Sequence, residues 1–204
     1  MFWRISGVVG MRESKKVSEH NLYRLDIRLR VMFLAIGLLV MLSLRPWIAK
    51  QTYIRGGIFY NAGMYKKAIR YFKKSIILAP AYGCANLFLA SSYEELGNYP
   101  EAIKVYLSYM KIVPQNPQIY YFLGSLYATR YKNYVKALGW FDVAIKVDKK
   151  YWEAYLWRGI CWELLGRPDL AIASYQQMKK AFPRDRRIDG FIQEVKVKMQ
   201  KRLR

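Results

Sequence analysis

GMYKKAIRYF at 63–72, GNYPEAIKVY at 97–106, KNYVKALGWF at 132–141 and GRPDLAIASY at 166–175 are four versions of one phrase. Their alanines, Ala68, Ala102, Ala137 and Ala171, are separated by 34, 35 and 34 residues. A period of this length marks a repeat architecture, in which each unit buries its apolar face only against its neighbours. An ordinary helical bundle has no reason to keep it.

Four residues after each alanine stands a ring: Phe72, Tyr106, Phe141 and Tyr175. Upstream, a small residue (Gly56, Ala90, Gly124 and Gly159) is followed three positions later by Phe59, Tyr93, Tyr127 and Trp162. Small residues let two helices approach closely, and rings one turn away fill the space between neighbours. Leu89 and Leu123 precede the small residue in two units, whereas Arg55 and Arg158 break that position in the others. Pro80, Pro114 and Pro183 follow the second helix, which they cannot continue; the third unit has Lys149 there.

A 34-residue period with two helices per unit resembles the tetratricopeptide repeat family. The resemblance implies an all-α fold: a right-handed superhelical solenoid of about four helix-turn-helix repeats with a C-terminal capping helix, preceded here by one N-terminal transmembrane helix. The expected division is a basic N-terminal segment (1–30), an anchor (31–48), repeats at 49–82, 83–116, 117–151 and 152–185, and a basic capping helix (186–204). Ile188, Phe191, Ile192, Val195 and Met199 recur at helical spacing in that last segment, as needed to cover the exposed end of a stack.

Val31 to Leu44 contain fourteen residues without a charge, shorter than the roughly twenty that usually cross a bilayer. Snorkelling of the flanking arginines extends the apolar length to Ile27 and Leu29 on one side and to Trp47 and Ile48 on the other. No small-residue cleavage site follows, which favours an uncleaved single-pass anchor over a signal peptide or an interfacial helix. Arg12, Lys15, Lys16, Arg24, Arg28 and Arg30 precede the span closely, against Arg45, Lys50 and Arg55 after it. That bias places the N-terminus in the cytoplasm and the repeats on the non-cytoplasmic side. A basic domain held by anionic lipid would have the opposite placement.

The resemblance also implies a concave groove, lined by the first helix of each unit, that receives a segment of a protein partner. Positions at spacings of three and four on that face are Tyr53 and Tyr60; Leu87, Ser91 and Glu94; Tyr121, Ser125 and Ala128; and Leu156, Ile160 and Glu163. Chaperone-binding members hold a terminal carboxylate with a cationic clamp, which Gly57, Leu87 and Ser91 do not provide. An apolar, aromatic groove suits an amphipathic helix or apolar loop, and the same side chains suit packing against the next helix. The expected function is therefore a membrane-anchored scaffold that assembles or localises a complex.

The chain carries 35 Lys and Arg against 14 Asp and Glu, a formal charge of +21, so an anionic partner or surface is expected. Lys66, Lys67, Arg70, Lys73 and Lys74 cluster on the second helix of the first unit, and a second cluster runs from Lys179 to Arg187. These either form a solvated convex face or contact anionic lipid, an acidic protein or nucleic acid. Nucleic acid ranks last because no recognised motif accompanies the charge. No enzymatic activity and no cofactor are expected. His20 is the single histidine, Cys84 and Cys161 lack paired spacing, and no phosphate-binding loop or nucleophile motif occurs.

Overall fold

Each quoted phrase supplies a turn and the start of a helix. A computed structural model describes the backbone of residues 5–202 and the side chains of 28–201. The described residues form helices α1 (Ile5–Asn61), α2 (Tyr65–Leu78), α3 (Gly83–Glu95), α4 (Tyr99–Ile112), α5 (Pro117–Thr129), α6 (Tyr134–Val147), α7 (Trp152–Leu164), α8 (Pro168–Ala181) and α9 (Arg187–Arg202). Arg12, Lys15, Lys16 and Arg24, on which the orientation argument partly rests, lie outside the described side chains, as does His20.

The chain divides into two units, 1–48 and 49–204, with the boundary inside α1. In the first unit the described apolar side chains, from Val31 to Leu44, are exposed. The stretch Arg28–Asn61 is long and apolar enough to cross a membrane.

In the second unit the helices pack in sequence order, each against the next, as in an all-α solenoid. The phrase explains the turns. Gly63, Gly97 and Gly166 adopt φ near +70° just after a helix, where a side chain is strained. In the third unit Lys132 takes this conformation at φ 52°, in a loop one residue longer. That unit also lacks the terminal proline. Instead α6 is followed by Asp148 as its C-cap, whose carboxylate accepts from the Lys150 amide at 2.8 Å.

The small residue and the ring of each unit fit each other. A Cβ added at Gly56 would stand 2.6 Å from Phe72, and one at Gly124 would stand 2.6 Å from Phe141. Unit two places Ala90 against Tyr106 in one buried cluster. Between units, each of these rings meets a ring of the next first helix. Phe72 lies 5.8 Å from Phe88, Tyr106 5.8 Å from Phe122, Phe141 6.4 Å from Trp157 and Tyr175 5.6 Å from Phe191.

The last of these contacts explains α9. Phe191 follows Trp157 by 34 residues, so α9 stands in the register of a fifth unit's first helix. Gln193 accordingly stands exposed where the four complete units have Gly or Ala.

Asp185 fastens this helix to α7. It accepts from the Trp152 indole at 2.9 Å and from the Arg187 guanidinium at 2.7 Å, while Arg187 stacks 4.6 Å over Trp152. The Arg187 guanidinium holds the Asp185 carboxyl well below the usual carboxylate range, despite an opposing desolvation. A depressed folded-state pKa contributes stability above the ordinary value of about 3.9, and this is lost as pH falls towards the folded value. Asp185→Asn is therefore expected to lower the melting temperature at pH 7, with the gap to the parent narrowing below about pH 4. Circular dichroism melts across that range check it.

Candidate functional site

The residues expected to line the partner groove sit on the α1 segment 49–61 and on α3, α5 and α7. Tyr53, Tyr60, Leu87, Ser91, Tyr121, Ser125, Leu156 and Ile160 are all half-buried. The three rings among them serve the stack. Tyr53 packs on Phe72, Tyr82 and Phe88; Tyr60 packs on Tyr65 and Phe88; Tyr121 packs on Phe122, Phe141 and Tyr151. The structure thus brings Tyr53 and Tyr60 together around Phe88, and Tyr121 beside Tyr151. Leu87 and Leu156 belong to separate clusters.

Three positions behave differently from the expectation. Ala128 is 2% exposed and sits inside the core of units three and four, out of reach of a partner. Its small side chain is buried in the same cluster as Phe141, so its place on the inward-facing stripe is a packing place.

Glu94 and Glu163 are half-buried and already engaged: the Tyr106 hydroxyl donates to Glu94 at 2.8 Å, and the Tyr175 hydroxyl donates to Glu163 at 2.9 Å. Glu163 also meets Lys198 of α9 at 3.3 Å. Units one and three have Phe72 and Phe141 instead of tyrosine, and Tyr60 and Ala128 instead of glutamate. Carboxylate and hydroxyl come and go together because a buried phenol must find an acceptor. Burial pushes the Glu94 carboxyl up, partly offset by the Tyr106 hydrogen bond. Burial and the adjoining carboxylates push both phenols far above their usual range, so they remain donors.

Arg158, which breaks the apolar pattern of its position, finds polar partners on both sides. Its guanidinium donates to Ser174 at 2.8 Å, Asp142 at 3.1 Å and Gln177 at 2.6 Å, tying α6, α7 and α8 together. Burial raises the Cys161 thiol to about 12, which leaves it inert, and no group of residues suited to a metal ion occurs among the described residues.

The five cations Lys66, Lys67, Arg70, Lys73 and Lys74 are all exposed on α2. None forms an ion pair among the described residues. Lys67 lies over Phe59, Lys73 over Tyr93 and Lys74 over Tyr71, at 5.5–5.9 Å. Sequence reasoning missed the cleft that three of them share with Phe59 and Tyr71. The available signal was the second ring, Tyr71, beside the ring that defines the repeat.

Comparisons with known proteins agree with this architecture. Two family models, each described as Tetratricopeptide repeat, match residues 60–126 and 144–186. Human serine/threonine-protein phosphatase 5 is 35% identical over 97 residues, covering 48% of this chain and 19% of the phosphatase, so the chain spans about a fifth of that relative's length. Among solved structures, MamA superposes with a TM-score of 0.57 at 24% identity, covering 69% of this chain and 81% of MamA. PilF of Pseudomonas aeruginosa superposes with a TM-score of 0.64 at 14% identity, covering 77% and 71%. With four registered units, a shared pairing of small residue and ring, and family models spanning parts of all four units, the chain belongs to the tetratricopeptide repeat family.

Proposed function

We propose that this chain is a membrane-tethered adaptor that holds a segment of a partner protein along the face formed by the α1 segment 49–61, α3, α5 and α7. Repeats of this family act as protein-interaction modules and are not themselves catalytic. The observation that carries the finer reading is the row of half-buried rings and aliphatic side chains Tyr53, Tyr60, Leu87, Tyr121, Leu156 and Ile160. The three tyrosines, Leu87 and Leu156 are packed against the stack, so little side-chain entropy remains to be lost when a partner covers their exposed edges. In this reading residues 31–48 are the anchor, 49–185 the binding domain and 186–204 its cap. The bias of basic residues supports a non-cytoplasmic domain.

The test is site-specific photo-crosslinking of the full chain in native membranes. A crosslinker at Tyr60 or Tyr121 is expected to capture one discrete partner, while the same group at exposed Lys146 captures none. Equal capture from Lys146, or none from either tyrosine, overturns the reading.

A second reading is favoured by the unpaired cations of α2: contact of Lys66, Lys67, Arg70, Lys73 and Lys74 with an anionic surface. Such contact weakens steeply with salt, whereas apolar groove binding hardly changes.

A further inference from the structure

Phe59 and Tyr71 stack with centroids 5.1 Å apart and planes at 23°. With Lys67, Arg70 and Lys74 they line an open cleft of about 330 Å³ between the α1 segment 49–61 and α2. Helix α2 contains no Asp or Glu, so no carboxylate of its own offsets these charges.

The third unit provides an internal comparison. Tyr127 and Trp140 occupy the positions of Phe59 and Tyr71, Lys136 lies 5.4 Å over Tyr127 as Lys67 does over Phe59, and a cleft of about 430 Å³ opens there. Gly139 and Val143 stand where the first unit has Arg70 and Lys74. Units two and four have Val105 and Ser174 in place of the second ring. The fold therefore builds the aromatic slot twice and adds the extra cations once, in the first unit.

A slot with apolar walls and a three-cation rim fits an anion carried on an apolar body. Tyr65 begins α2 only 17 residues after Ile48. Helical residues 49–61 advance the chain by only about 20 Å. Chain connectivity thus keeps the cleft in reach of whatever bilayer α1 enters, where phospholipid is the most abundant anion of that kind. We propose that the cleft binds the phosphate head of an anionic phospholipid. Arg70 takes two phosphate oxygens, Lys67 and Lys74 add charge, and the rings of Phe59 and Tyr71 cover the glycerol and first acyl carbons. The proposal deepens the anionic-contact reading and rests on it. It assigns a site where that reading needs only a charged face.

The test uses the purified full chain in neutral detergent micelles containing equal amounts of phosphatidylglycerol and phosphatidylcholine, with retained lipid read by native mass spectrometry. The parent is expected to keep one phosphatidylglycerol. Arg70→Gln with Lys74→Gln is expected to lower that retention at least about tenfold. Lys66→Gln with Lys73→Gln removes the same charge outside the cleft and is expected to leave retention unchanged. Gly139→Arg with Val143→Lys, which copies the rim into the third unit, is expected to add a second lipid. Circular dichroism confirms that each variant is folded.

Equal loss in both charge-removal pairs overturns the cleft while sparing the anionic-contact reading. No preference for phosphatidylglycerol in the parent overturns both. Displacement of the lipid by millimolar inorganic phosphate, itself retained at the cleft, makes free phosphate the ligand and overturns the lipid assignment.

Discussion

Phe141→Ala is expected to lower the unfolding free energy by about 3–5 kcal/mol, the range for removing a large ring from a close-packed interior. Phe141 is fully buried, faces Gly124 across the third unit, and meets Tyr121 and Trp157 on its other sides. None of these neighbours can move inwards to fill the hole, because each is held by its own helix. The ring also joins the third unit to the fourth, so its loss weakens an interface between neighbours as well as a core. In a stack stabilised by nearest-neighbour contacts, that separates the unfolding of the two sides. A guanidinium titration of the full chain in detergent, followed by circular dichroism, should show an earlier and broader transition. Trp140→Ala, at a half-buried ring on the outer side of the same helix, should show the smaller shift.

Gly159→Ala is expected to cost about 1–3 kcal/mol, although alanine is the better helix former. A Cβ at Gly159 would overlap the ring of Tyr175. That ring has no free direction, since its hydroxyl is tied to Glu163 at 2.9 Å and its face meets Phe191 at 5.6 Å. Gly139→Ala supplies the opposite sign. It lies within α6 with nothing near its missing Cβ, so alanine there is expected to stabilise by about 0.5–1 kcal/mol. Parallel denaturant titrations of the two variants decide whether close approach or helix propensity governs these glycines.

Much of this stack can be read from residue types at a fixed spacing. The four alanines and the rings four positions later give the second helices, and the small residues upstream give the first. These positions are legible because each is fixed by contact with its counterpart in the same unit. Phe88, Phe122, Trp157 and Phe191 keep the same 34, 35 and 34 spacing. They pass unnoticed because their partners lie in the preceding unit, so no single unit displays the pair.

The candidate groove is less legible for a related reason. A stripe drawn at spacings of three and four includes Ala128, Glu94 and Glu163, and nothing along a helix tells a residue facing solvent from one serving a ring on the neighbouring helix. The tyrosines Tyr106 and Tyr175, 12 residues after their glutamates, carry that information. Arg158 reads as a break in the pattern until Ser174, Asp142 and Gln177 are seen around it.

Gln193 has a further effect on α9. Units that stack on one another are also subunits for a filament, and an open helix face would invite a second copy to continue the series. In the four complete units the next helix docks its ring against Gly or Ala. On α9 that seat is taken by a long polar side chain flanked by Lys196 and Glu194. A helix of a second copy arriving in the same geometry meets bulk and charge, so the face of α9 that carries Gln193 resists head-to-tail growth.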